Sequence, residues 1–298
     1  MSRVRIGTRG SALALWQANH VKDRLSALGH QVELRVIVTT GDRVLDRRLE
    51  SVGGKGAFLK EIEEALLGRD VDLAVHSLKD VPTALPGGLA LCATLERADP
   101  RDAYLSGGAK LAELPAAARV GTTSLRRQAL LRVLRPDLAL EDLRGNVDTR
   151  IRRLREGRFD AILLAAAGLT RLGRHGEITE CLDPRAFVPA PGQGAIALEC
   201  RADDTAVREA VAPLDHAPTA RAVAAERAFL AGLGGGCNVP LGAHAFGVGD
   251  ELELGGFVAA VDGSRVLRGE TRGTQPAAVG EALARALLER GARSLLGH

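Results

Sequence analysis

The sequence predicts an α/β protein built of two similar α/β lobes and a small C-terminal α+β domain. Three observations carry that prediction. Short apolar β-runs alternate with helical periods through the first two thirds of the chain, the pattern of strand–helix–strand units on a largely parallel sheet. Two strand–loop–helix segments echo each other, "RIGTRGSALALWQ" and "RVGTTSLRRQALLRVL". Near residue 217 the pattern changes to helix, alternating hairpin and closing helix. A length of 298 residues suits two or three domains.

The first lobe opens on "RVRIG" (3–7), a short strand, followed by the loop "TRGS" and the helix "ALALWQANHVKDRLSALG", which Gly29 stops. "QVELRVIVTT" (31–40) reads as the second strand. In "KGAFLKEIEEALLGRD" the residues Phe58, Ile62 and Leu66 recur at helical spacing and make one apolar face. "VDLAVHS" (71–77) is a buried strand. The second lobe repeats the theme with "RVGTTSLRRQALLRVL" (119–134) and with "REGRFDAILLAAAGL" (155–169), which echoes "LLGRDVDLAVHSLKD". In both, an Asp opens the strand, Asp72 in one and Asp160 in the other. The repeat distances differ, 114 residues from Gly7 to Gly121 and 88 from Asp72 to Asp160, which fits two duplicated lobes and excludes a tandem array. In the third region "TARAVAAERAFLAGL" (219–233) is a helix, and "ELELGGFVAAV" and "SRVLRGETR" flank an Asp-Gly turn as an antiparallel hairpin. "PAAVGEALARALLERGA" closes the chain as a helix, with Pro276 near its start and Gly291 as its stop.

Composition removes several function classes. A net charge of +3 and 3% aromatic residues weigh against a nucleic-acid binder. No stretch approaches the roughly 18 uninterrupted apolar residues of a membrane span, and "MSRVRIGTRGS" has no apolar signal region, so a cytoplasmic protein is expected. The four cysteines are far apart and lack CxxC or His-pair spacing, so neither a metal site nor a disulfide is expected. Cys92 and Cys200 end apolar runs, and core packing explains them; Cys181 reads as a helix or loop filler. Cys237 is different. "GGGCNVPLG" (234–242) puts that thiol on flexible backbone that other groups can approach closely.

The candidate site residues follow from placement. The basic residues are 35 arginines against five lysines, which beyond codon bias suits planar, bidentate grips on carboxylate or phosphate. Each lobe feeds its first helix through a Gly/Thr/Ser loop, a ready anion site. Arg9 and Ser11 stand at the first; Thr122, Thr123, Ser124, Arg126 and Arg127 stand at the second. Serine there is also an ordinary N-cap. Two arginines opening a helix are not ordinary, because positive charge meets the positive end of the dipole, and a bound anion would remove that penalty. In "LRGNVDTRIRRLREGR" (143–158), Arg144 and Arg150 flank a turn and are candidate ligands, while Arg152, Arg153, Arg155 and Arg158 read as a solvated face. "HSLKDVP" (76–82) follows a buried strand, where open α/β sheets bind ligands. Asp80 there is either half of a local pair with Lys79 or a carboxylate in a cleft of arginines, able to stabilise a cation. The residues alone leave both readings open.

Together these stretches resemble the porphobilinogen deaminase (hydroxymethylbilane synthase) family. "GTRGSALALWQA" (7–18), "GGKGAFLKEIE" (53–63), "AVHSLKDVP" (74–82), "ADPRDAY" (98–104), "GTTSLRRQ" (121–128), "LRGNVDTR" (143–150), "APGQGAIALECR" (190–201) and "GGGCNVPLG" (234–242) occur in family order over nearly the whole chain. The resemblance implies lobes like those of periplasmic binding proteins, with residues 1–95 and 195–214 as the first lobe carrying the catalytic Asp. It implies 100–190 as the arginine-rich second lobe and 217–298 as the domain carrying the Cys loop. It implies a transferase that joins four porphobilinogen molecules head to tail, releases ammonia, and frees the linear hydroxymethylbilane. The primer would be a dipyrromethane held by a thioether to Cys237, with Asp80 catalytic. Ser77, Lys79, Ser124, Arg126, Arg127 and Arg150 would bind that cofactor. Arg9, Ser11, Gln17, Arg144 and Arg171 would bind substrate carboxylates, with Lys55 a weaker candidate. No metal, nucleic acid or membrane is implied, and a monomer is expected. Gly234 stands where the family often has an acidic residue, and Asp148 adds a carboxylate near Arg144 and Arg150. The rivals are a two-lobed polycarboxylate-binding protein without chemistry and a thiol enzyme pairing Cys237 with His244.

Overall fold

The structure, a computed structural model, describes residues 2–39, 59–234 and 239–296. They belong to two compact units, Met1–Ala98 with Ala195–Ala220 and Asp99–Gly194 with Arg221–His298.

In the first unit, β1 (Arg3–Thr8), β2 (Gln31–Val36), β3 (Leu73–Ser77), β4 (Leu89–Thr94) and β10 (Ile196–Arg201) form a sheet in the order β2-β1-β3-β10-β4. The pairs β1–β2 and β1–β3 are parallel, whereas β10 runs antiparallel to both neighbours. The sheet is therefore mixed: one strand, arriving from more than 100 residues later, reverses its direction. Helix α1 (Ala12–Ala27) covers one face, where Val4, Ile6, Ala18, Val21, Leu73, Val75 and Leu198 pack together. Helix α2 (Lys60–Leu67) lays Ile62 and Leu66 against Val71 and Ala74 on the other. The alternation of Leu73, Ala74 and Val75 between these two cores is the period-2 signature of a strand buried on both sides.

The second unit contains a sheet of the same plan. β5 (Asp102–Ser106), β6 (Arg119–Gly121), β7 (Ala139–Glu141), β8 (Ala161–Ala165) and β9 (Glu180–Cys181) take the order β7-β6-β8-β5-β9, with β5 antiparallel to both neighbours. The echoed segments occupy matching positions: β1 and β6 stand second in their sheets, β3 and β8 third. Helix α3 (Leu125–Leu134) and helix α4 (Val147–Arg155) cover opposite faces, as α1 and α2 do. Cys181 lies in β9, not in a helix or loop. Short helices α5 (Ala166–Arg171) and α6 (Thr205–Val211) follow β8 and β10.

The likeness of the two lobes extends to one polar device. Asp72 accepts the Arg5 backbone N–H at 3.0 Å and the Arg5 Nη2 at 2.7 Å, while its own N–H donates to Arg5 O. Asp160 repeats this with Arg119, accepting the backbone N–H at 2.7 Å and returning its own N–H to Arg119 O. The Asp at the strand start thus locks the register of the strand pair. Asp72 also receives Arg201 Nη2 at 3.2 Å. Burial alone would push the Asp72 carboxyl up; the Arg5 and Arg201 hydrogen bonds outweigh it and hold it at about 2. A depressed carboxyl stabilises the fold above its unfolded value of about 4 and loses that contribution as pH falls toward 2. Asp72→Asn is therefore expected to be less stable than the parent at neutral pH, with the gap closing between about pH 4 and pH 2 in denaturant titrations.

After helix α7 (Ala217–Gly232), the C-terminal segment forms a three-stranded antiparallel sheet, not a two-stranded hairpin. β11 (Leu241–Val248) pairs along its whole length with β12 (Glu251–Ala259), and β12 with β13 (Val266–Gly273). Helix α8 (Pro276–Glu289) packs Leu283 and Leu287 on Phe229, Leu254 and Val258. Phe257 and Ala259 of β12 join the α3 core instead, which ties this segment to the second sheet.

Candidate active site

Strand β3 ends in a single 3₁₀ turn, Leu78–Asp80. Leu78 and Val81 are buried, three apart, and so share one side of that turn. They pin it, Leu78 N–H continues the ladder to Ala195 O at 3.1 Å, and Pro82 keeps Val81 extended. Asp80 is left half-buried at the carboxyl end of the sheet. Among the described residues no hydrogen bond or ion pair reaches its carboxylate, and the local pair with Lys79 is not formed. Its carboxylate is therefore left to solvent or to a ligand.

The same unit holds five more of the expected residues. Ser11 caps α1, its Oγ accepting Ala14 N–H at 3.3 Å. Gln17, 2% exposed, donates from Nε2 to Ser77 Oγ at 2.8 Å, which joins α1 to the end of β3. Arg9 and Lys79 are both half-buried, one in the loop before α1 and one beside Asp80. On the opposite face of β3, His76 Nε2 lies 2.9 Å from Glu199 Oε2 of β10. Burial, reinforced by Glu199, pushes the Glu63 carboxyl of α2 upward. This acid–imidazole cluster carries no marker in the sequence, because Glu199 lies more than 120 residues from His76 and from Glu63.

In the second unit Ser124 caps α3, accepting Arg127 N–H at 3.4 Å. Arg126 and Arg127 are each 5% exposed, and the charge facing them is Asp102 at the head of β5, which is 0% exposed. Arg126 Nη1 and Nη2 reach Asp102 at 2.6 and 3.0 Å; Arg127 Nε and Nη2 reach it at 2.9 and 2.7 Å. Burial alone would raise the Asp102 carboxyl, but the two guanidiniums hold it far below the usual carboxylate range. The positive charge at this helix start is thus answered from inside the protein, which the sequence reading missed. The only sign available was an acidic residue opening an apolar strand, "DAYLS". One donor stays over: Arg126 Nε is buried without a partner among the described residues.

Asn146 caps α4, and Arg150 Nε donates to Gly145 O at 2.8 Å, so Arg150 folds back on its own turn. Gly145 has φ +109°, and a Cβ there would lie 2.9 Å from Thr149, so the turn requires glycine. Arg144 is 3.8 Å from Asp142, while Asp148 accepts from Arg174 at 3.0 Å. Asp148 is therefore engaged away from Arg144 and Arg150, contrary to expectation. Of the four arginines read as a solvated face, Arg152 and Arg158 approach Glu156 and Arg155 pairs with Glu177, whereas Arg153 caps Arg144 O. Arg171, at the end of α5, donates to Gly194 O at 2.7 Å, and burial pulls its guanidinium down to about 10.

Glu226 of α7 was also missed. Fully buried, it accepts Gly192 N–H at 2.7 Å and Ala245 N–H at 2.8 Å. His244 Nδ1 lies 3.5 Å from the same carboxylate. Cys237 and Lys55 lie outside the described residues; Gly234, just before the Cys segment, takes φ +91°, a conformation an acidic residue there would adopt only with strain. Among the described residues no cluster suits a metal ion, and no helix is long and apolar enough to cross a membrane.

Comparison with known proteins fits this donor set. Residues 4–209 match the model for the dipyrromethane cofactor-binding domain of porphobilinogen deaminase, and residues 220–289 match its C-terminal domain. The porphobilinogen deaminase of Trichlorobacter lovleyi is 55% identical, covering 99% of this chain and 96% of its own. That of Geobacter sulfurreducens is 53% identical over 100% and 95%, and that of Roseiflexus sp. strain RS-1 54% over 98% and 97%. Among solved structures, the methionine-binding protein MetQ overlaps 70% of this chain and 89% of its own at 14% identity and a TM-score of 0.43, too slight an overlap to speak to function. With both family models matched in order and relatives above half identity along its length, the chain belongs to the porphobilinogen deaminase family.

Proposed function

We propose that this chain polymerises four porphobilinogen molecules head to tail into hydroxymethylbilane, releasing ammonia, as a cytoplasmic monomer with Asp80 as its catalytic residue. Within the family assignment, the observation that carries Asp80 is its carboxylate: pinned by Leu78 and Val81, and engaged by no described residue. Loss of ammonia from the substrate's aminomethyl group leaves positive charge spread over a pyrrole ring. Asp80 accepts that ring's N–H and stabilises the charge where it develops. The same carboxylate can take the proton released when the new carbon–carbon bond forms.

The residues present fit a dipyrromethane. Its acetate and propionate groups need planar cations, and Arg126 and Arg127 together carry one more charge than Asp102 answers, with Arg126 Nε still unmatched. Bound through Cys237, the group supplies the pyrrole carbon to which substrate units are joined. In this reading Ser77, Lys79, Ser124, Arg126, Arg127 and Arg150 hold the cofactor. Arg9, Ser11, Gln17, Arg144 and Arg171 hold substrate carboxylates. Residues 1–95 with 195–214 supply the acid, 100–190 the arginines and 217–298 the anchor.

The test is an intact mass with and without porphobilinogen. The expected result is an excess of two pyrrole units, absent in Cys237→Ser, and a ladder of single-pyrrole steps after substrate is added. A bare-chain mass that stays bare after preincubation with hydroxymethylbilane would overturn the reading and favour a polycarboxylate receptor.

A further inference from the structure

Helix α2 packs on Val71, Ala74 and Leu89, on the face of the first sheet that α1 does not cover. Three ionisable side chains meet beneath it: Glu63 of α2, His76 of β3 and Glu199 of β10. Ala74 belongs to the α2 core, so its cross-strand partner Glu199 and its period-2 neighbour His76 point to the same side. Glu199 is 0% exposed and His76 7%. His76 Nε2 lies 2.9 Å from Glu199 Oε2. Glu199 Oε1 and Glu63 Oε1 are buried with no hydrogen-bond partner among the described residues. The other charges on this face are committed elsewhere. Arg201 donates to Asp72, Asp204 and the carbonyls of Leu66 and Val71, and Asp72 also holds Arg5. On α2 itself Lys60 and Glu64 lie exposed, 3.9 Å apart, and Glu61 is half-buried. β4 offers Leu89 and no charged side chain. The charges acting on Glu63 are Glu199, which repels it, and His76, which attracts it.

We propose that Glu63 is the proton-bearing part of a pH-sensitive latch under α2. With its proton on, Glu63 is neutral, and α2 sits on Glu199 and His76 without a like-charge contact. Once that proton goes to solvent, two carboxylates share a dry site with a single imidazole, and α2 loosens from the sheet. Burial, reinforced by Glu199, raises the Glu63 carboxyl above its ordinary value of about 4.5, with His76 opposing. The stabilising share of a raised carboxyl is fully present below about 4.5 and is lost as pH climbs through the folded value. The direction is opposite to that of Asp72 in the same unit, whose contribution is lost on acidification. α2 is therefore held tightest in mild acid, and it covers β3, the strand whose end carries Asp80.

The test is native-state hydrogen exchange on the full-length chain from about pH 5 to about pH 8, corrected for intrinsic rates, beside a ¹³C carboxyl titration of the same sample. The amides of Leu66 and Leu67 in α2 are expected to lose protection by up to about tenfold per pH unit once Glu63 ionises. Those of Val21 and Leu25 in α1 should not follow. Glu63→Gln is neutral at every pH and of the same size, so its α2 protection should stay level. Glu199→Gln removes the repelling charge, and the Glu63 midpoint should drop. A wild-type α2 that keeps its protection across the range, or a loss that persists in Glu63→Gln, overturns the latch. So does a wild-type Glu63 midpoint at or below the ordinary value, a measurement that needs no variant to fold.

Discussion

Asp80→Asn is expected to lower kcat on the order of 10²- to 10³-fold while leaving the fold intact. Asparagine keeps the size and one acceptor but removes the charge, and the charge is what stabilises a developing pyrrole cation. Loss of one preorganised electrostatic partner at a reacting centre typically costs this much. The ground state carries no such cation, so KM should move far less than kcat. Asp80→Glu should fall between the two, because it restores the charge but displaces it by one methylene. Stability gives an independent check. The carboxylate satisfies no described donor, so its removal should leave the unfolding midpoint within about 0.5 kcal/mol of wild type, or slightly above it. Steady-state kinetics on protein preloaded with hydroxymethylbilane, beside a denaturant titration, measures both. A rate within threefold of wild type (about 0.6 kcal/mol) would remove Asp80 from the chemistry. A large loss of stability would recast it as structural.

The contrast between Asp80 and Asp102 shows what the sequence could and could not say. The place of Asp80 was legible, though not its role, because strand, turn and proline lie within seven residues, and local chemistry fixes where the carboxylate stands. The repeated lobes were legible for the same reason: each echo is one strand–loop–helix unit, and the Asp at each strand start marks its register. The mixed sheets were not, because β10 joins β3 from more than 100 residues away. Nor was the pairing of Arg126 and Arg127 with Asp102. The sequence reading answered the two arginines at a helix start with a bound anion. Local reasoning could not see that β5 brings an anion of the protein's own, Asp102, to that place.

Glu226→Ala is expected to produce the largest loss of stability in the second unit, about 2–5 kcal/mol. The mutation removes a fully buried carboxylate and strands two backbone N–H groups, those of Gly192 and Ala245, each costing about 1–3 kcal/mol when left unsatisfied. Alanine's better helix propensity offsets only a few tenths. Glu226→Gln should recover about half, since its amide presents one acceptor and turns a donor toward the other N–H. Hydrogen exchange at Gly192 and Ala245 separates local from global effects: both amides should lose protection in the Ala variant, and one of them should keep it in the Gln variant. The consequence reaches the proposed chemistry through the chain itself. Gly192 adjoins Gln193, whose amide donates to Asp102, and Gly194, whose carbonyl accepts from Arg171. A single buried acid on α7, the helix that leads toward Cys237, thereby fixes the turn on which two arginine groups depend. If Glu226→Ala unfolds no more easily than wild type and keeps both amides protected, that turn is held by other contacts and the linkage between α7 and the arginines fails.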